Sequence, residues 1–126
     1  MAIYLLDTDI IIDVLNGKRD RPDLLRGLVA EGHLLACCSI SVTEIYAGLR
    51  PGEEQNTSNF LYSLKYYSID FAVARLAGSL KCEYGRKGKS LNIADTTIAA
   101  VALQYGLPLI TGNKKDFPMK ELQLYL

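Results

Sequence analysis

The 126-residue chain has no tryptophan, a single histidine, three cysteines and equal numbers of acidic and basic side chains, 14 of each. Each shortage removes a class of protein. Cys37 and Cys38 are adjacent in the apolar run "HLLACCSI" and Cys82 stands alone, so no disulfide framework is expected. Thiols placed in this way behave as small hydrophobes. The lone His33 has no C-x-x-C or H-x-x-H companion, which argues against a zinc centre and leaves it as a loop or strand-edge residue. A net charge of zero does not announce a nucleic-acid binder, so any polyanion must be held by a local patch, with a metal assisting. No apolar run approaches the ~18 residues of a membrane span, and no basic region precedes the first apolar stretch. No membrane association and a cytoplasmic location are therefore expected. The length suits one domain over residues 1–126, with roughly two-thirds of the unfolded surface buried.

What is present is an alternation of short apolar runs and helical patterns. "IYLL" at 3–6 is wholly apolar, as strands buried on both faces are. "IIIDVLNG" predicts a helix ending at Gly17, and "DLLRGLVAEG" a second, opened by Pro22 and closed by Gly32. "LLACC" is a second strand, and "SVTEIYAGLRPG" a helix stopped at Pro51 and Gly52. "EEQNTSNFLYSLKYY" reads as helical throughout, with Phe60, Leu61 and Leu64 as a stripe that is mostly core. "DFAVARLAGSLKCEYG" and "IADTTIAAVALQYG" read as helices ending at Gly85 and Gly106. "LPLIT" and "LQLYL" supply the last strands. Such alternation predicts an α/β fold with a mainly parallel sheet.

In a parallel sheet, strand ends and the starts of the following helices share one edge, where ligands bind. Four acids fall there. Asp7 ends the first strand, Glu44 and Asp95 are placed in the first turns of their helices, and Asp116 lies just past "LPLIT". Ser41-x-x-Glu44, Asn92-x-x-Asp95 and Asn113-x-x-Asp116 also have the form of helix caps, which accounts for each acid singly. Capping does not account for all four sharing an edge. Converging carboxylates repel unless protonated or neutralised. Mg²⁺ or Mn²⁺, which prefer oxygen ligands, would neutralise them, activate water and stabilise a phosphoryl transition state.

The motifs "LLDTDIIID", "SVTEIYAGL", "IADTTIAAVAL" and "PLITGNKKDF" occur in the order and spacing of a known family. Over essentially its full length the chain resembles PIN-domain ribonucleases, in particular the VapC-like toxins of toxin–antitoxin pairs. The resemblance implies a three-layer α/β/α sandwich and an acidic pocket for Mg²⁺ or Mn²⁺. It further implies RNA-cleaving hydrolase activity, a small antitoxin partner and a homodimer. By position Asp7, Glu44 and Asp95 match the family's acids; the fourth is Asp116, with Asn113 as the other candidate for that place. Thr111 matches a frequent hydroxyl position, and Thr8, Asp9 and Asn113 are expected to support the ligands, Asp9 also as a helix cap. Asp13 is expected on the surface of the first helix. Lys114 and Lys115 beside the pocket, and Arg86, Lys87 and Lys89 in "GRKGK", are candidate RNA contacts, or else ordinary solvated charges. The expected chemistry is attack by water, leaving a 5′-phosphate and a 3′-hydroxyl. Metal-free cleavage through the 2′-hydroxyl commonly uses a histidine pair, and this chain has one histidine.

Two other readings compete. "DTD" after a buried strand resembles the D-x-D of haloacid-dehalogenase-like phosphatases, with Asp7 as nucleophile, but Ile11 and Ile12 break that pattern and Glu44 is left without a role. A PIN-like module that has lost catalysis and only binds RNA or protein is the other.

Overall fold

A computed structural model describes residues 1–126. Five parallel strands form one sheet: β1 (Ile3–Leu6), β2 (Leu34–Cys38), β3 (Lys65–Tyr67), β4 (Leu109–Ile110) and β5 (Leu124–Tyr125), in the order β3-β2-β1-β4-β5. Six helices connect them: α1 (Thr8–Leu15), α2 (Arg21–Ala30), α3 (Ser39–Ala47), α4 (Glu54–Tyr62), α5 (Phe71–Arg86) and α6 (Ile93–Tyr105). A 3₁₀ turn, Lys114–Asp116, follows β4.

The central strands divide the core because successive side chains leave a strand on opposite faces. Leu5, in register with Ala36 and Leu109, packs with Val73, Ala99 and Val101 of α5 and α6. Leu6, Cys37 and Ile110 turn the other way, onto Ile10 and Ile11 of α1, Leu25 and Leu28 of α2, Ile45 of α3 and Leu61 of α4. Helices thus cover both faces of a parallel sheet. This is the expected α/β/α sandwich.

Three sequence expectations need adjusting. The pattern from Glu54 onward does not continue as a helix to Tyr67; α4 stops at Tyr62, and Lys65–Tyr67 joins the sheet edge beside Ala36–Cys38. Helix α3 ends at Gly48, before Pro51, where the Gly48 N–H closes onto the Glu44 and Ile45 carbonyls. Since α3 begins at Ser39, Glu44 falls in its second turn and not its first. Cys37 and Cys38 are buried as anticipated, and His33, just ahead of β2, accepts a hydrogen bond from the Ala2 N–H at 3.0 Å.

Candidate active site

Asp7 leaves the central strand as the N-cap of α1 and is 5% exposed. Burial of an unpaired carboxylate is costly, so its oxygens must be satisfied. Its Oδ1 accepts the Thr8 N–H at 2.8 Å, and its Oδ2 accepts the Thr111 hydroxyl at 2.7 Å. Thr111 is fully buried, and its hydroxyl in turn accepts the Asn113 N–H at 3.0 Å, which fixes the direction of its proton. The Thr8 hydroxyl donates to Glu44 Oε1 at 2.7 Å and lies 2.9 Å from the buried Ser41 Oγ. Asp7 and Glu44 are therefore linked through one threonine. Glu44 serves no cap: the N-cap position of α3 is Cys38, with no side-chain cap hydrogen bond, so the capping-box reading of Ser41-x-x-Glu44 falls away.

Asp95 enters from α6. Asn92 caps this helix, with its Oδ1 accepting the Asp95 N–H at 2.8 Å, and the Asp95 carboxyl remains half-buried. Asp116 closes the 3₁₀ turn after β4, also half-buried, whereas Glu44 is exposed. Burial, set against the Thr111 hydrogen bond and reinforced by the nearby Asp9 charge, pushes Asp7 up from 3.8 to about 7. Burial followed by the charges of Asp116 and Glu44 pushes Asp95 from 3.8 to about 6. Asp95 therefore feels the charges of acids from three other segments, Asp116, Glu44 and Asp9, whereas the acid that acts on Asp7 is its neighbour Asp9.

Asp9 departs from expectation. Asp7, not Asp9, caps α1, while Asp9 Oδ2 accepts the Gly112 N–H at 3.2 Å and the Asn113 side-chain amide at 3.0 Å. That ties the loop after β4 to the first turn of α1 and employs Asn113 in holding Asp9. The other oxygen, Asp9 Oδ1, is sealed from solvent without any partner. Asp13 is not a surface residue. It is 8% exposed and pairs with Arg19 at 2.9 Å and Arg21 at 3.5 Å. Sequence reasoning misses Arg21, because nothing in "KRDRP" says which cation turns inward. Lys114 and Lys115 are exposed beside Asp116. Lys87 pairs with Glu83 at 3.4 Å and lies over the Tyr84 ring; Arg86 ends α5, and Lys89 lies in the loop that leads into the Asn92 cap.

The donor set is all oxygen, suited to a hard cation. An orphaned buried carboxylate oxygen and two acids pushed toward protonation mark a site short of positive charge. No three of these acids stand close enough together to hold one ion jointly. By donor chemistry Asp7, Glu44, Asp95 and Asp116 would suit a hard divalent cation.

Fold and site together define an α/β/α domain with acidic side chains at the carboxyl edge of a parallel sheet. Residues 4–121 match the PIN domain model, and the chain belongs to the PIN-domain family. It is 30% identical to the ribonuclease VapC19 of Mycobacterium tuberculosis over 91% of this chain and 92% of that protein. It is 32% identical to the ribonuclease VapC2 of Haemophilus influenzae over 93% and 91%. Among solved structures, VapBC2 of Rickettsia felis bound to a promoter DNA fragment superposes with a TM-score of 0.84 at 29% identity, covering 98% of this chain and 97% of that one. Family membership displaces the aspartyl-phosphate reading of "DTD".

Proposed function

We propose that this chain, a single PIN domain over residues 1–126, is an endoribonuclease that hydrolyses RNA phosphodiesters with Mg²⁺ or Mn²⁺, and is the toxin of a toxin–antitoxin pair acting in the cytoplasm. One observation supports the reading: Asp95 lies near enough to Asp116, Glu44 and Asp9 to be pushed up by their charges, in a chain whose relatives are VapC ribonucleases. Asp7, Glu44, Asp95 and Asp116 would hold the cation. When bound, it supplies charge neutralisation at the phosphate and acidifies water at neutral pH.

The chain's own residues do the positioning. Thr8 and Thr111 fix both oxygens of Asp7, so this carboxylate meets its ligand without reorganising. Thr8 also orients Glu44. Asn92 ties down the α6 start and leaves the Asp95 carboxyl free to take a ligand. A proton held by Asp7 near pH 7, or by Asp95 near pH 6, would leave as positive charge arrives. Lys114 and Lys115, exposed at the pocket, would neutralise backbone phosphates.

The antitoxin reading draws support from a groove of about 710 Å³ between α2 and α4, with Leu25, Val29, Phe60 and Leu64 among its walls. The homodimer reading draws on a second hollow of about 420 Å³, walled by apolar and tyrosine side chains including Tyr46, Tyr62 and Tyr66. Purified protein should cut RNA when Mg²⁺ or Mn²⁺ is present, leave 3′-hydroxyl ends, and stop in excess chelator. Cleavage undiminished by chelator, with cyclic phosphate ends, refutes the mechanism; RNA binding that never leads to a cut would mean a catalytically inactive module.

A further inference from the structure

Two buried side-chain polar atoms lack a hydrogen-bond partner, Asp9 Oδ1 and Arg21 Nε. They belong to residues that meet at one place. A β-carbon on Gly112 would stand 3.0 Å from Asp9 Oδ2 and 3.1 Å from Arg21 Nη2, tighter than side chains normally pack. Gly112 thus leaves an opening that brings an arginine to the rim of the acidic pocket. Its φ is negative, so the position requires space and not glycine's conformational freedom.

The chain goes to some trouble to put Arg21 there. Between α1 and α2, Arg19 and Asp20 both take left-handed backbone conformations, with φ of 56° and 57°, which non-glycine residues avoid. The turn returns Arg19 and Arg21 onto Asp13, one helical turn after Asp9. Asp13 grips Arg19 at 2.9 Å but stands 3.5 Å from Arg21 Nε, outside good hydrogen-bonding geometry. The Arg21 side chain is only 16% exposed, yet no acceptor satisfies its buried N–H. A guanidinium held on its Nε side by a long ion pair with Asp13, with Nη2 beside the exposed Gly112, can offer its outer N–H groups to an incoming anion. The planar fork matches phosphate oxygens.

We propose that Arg21 is a substrate-binding residue, taking a backbone phosphate of the RNA at the Gly112 rim of the pocket. The inference rests on the RNA-cleaving reading above and adds to it the residue that seats the strand. Arg21 adds to Lys114 and Lys115 a positive charge for drawing a polyanion toward a site built of acids.

The test follows KM and kcat for cleavage, together with anisotropy of a fluorescein-labelled single-stranded oligoribonucleotide in chelator across a salt series. Arg21→Gln should raise KM more than it lowers kcat and weaken binding by about fivefold or more. It should also flatten the dependence of log K on log salt by about 0.7, the signature of one lost single-strand phosphate contact. Arg21→Lys, which retains the charge and guards against loss of fold, should keep the slope while losing part of the affinity. Gly112→Ala, filling the opening, should weaken RNA binding in the same sense with an unchanged circular-dichroism spectrum. Arg21→Gln and Gly112→Ala proteins that keep the parent KM overturn the proposal. Should the parent itself cleave no RNA under any divalent ion, the broader functional reading fails instead.

Discussion

The two halves of the acidic pocket are built differently. Asp7 is buried on the central strand, and both its oxygens are bonded by groups that are themselves fixed, the Thr8 N–H and the Thr111 hydroxyl. Asp95 and Asp116 are half-buried and Glu44 is exposed. They are carried by helices and a turn, and Asp95 feels Asp116 and Glu44 through repulsion. One half is an anchor whose geometry is set by folding. The other is a rim whose acids repel one another. A site organised in this way can hold a ligand in a defined place and still open to admit a polymer.

The largest way to break the comparison is to remove the anchor's charge. Asp7→Asn should reduce RNA cleavage by about a thousandfold or more, since it deletes the one ligand that needs no rearrangement, while leaving the far-UV spectrum intact. Next comes the anchor's support. Thr111→Val leaves a buried Asp7 oxygen and the Asn113 N–H without partners, and should destabilise the protein by about 1–3 kcal/mol in urea unfolding. A value near zero would mean that the anchor is not held as described.

Both halves are probed through pH. Asp7, at about 7, and Asp95, at about 6, bind their protons more tightly when folded than at the ordinary 3.8. The ion-free fold therefore has its full benefit from these carboxyls below about pH 4 and loses it as pH rises through 6 and 7. Thermal melts should show this decline, flattened in Asp7→Asn, and added Mn²⁺ should restore stability most above pH 7. Glu44→Gln gives the smallest effect expected: it keeps an acceptor for Thr8, relieves part of the pressure on Asp95, and should move that carboxyl back toward 3.8 by a fraction of a pH unit in a carbon-13 NMR titration.

The same contrast governs what can be read from the sequence. The central strands are legible because an uninterrupted apolar run ending in an acid suits a buried strand and little else, and "IYLLD" falls where the pattern puts it. The helix bearing Asp95 is legible from its Asn92 cap and Gly106 stop. Strand β3 is not, because Phe60–Leu64 keeps helical spacing right up to an edge strand only three residues long. Asp13 and Arg21 escape notice for a different reason. Their pairing depends on left-handed residues at Arg19 and Asp20, and neither composition nor spacing marks a non-glycine residue for that conformation. Asp7 holds the cap expected of Asp9, since both follow the strand and only the geometry of the turn chooses between them.

Calorimetric titration of the protein with Mn²⁺ near pH 6.5, repeated in buffers of different ionisation enthalpy, tests the shared-cation claim most directly. Saturable binding accompanied by net proton release, both lost in Asp7→Asn and Asp95→Asn, is the predicted result. No saturable binding, or binding that survives both substitutions unchanged, contradicts it.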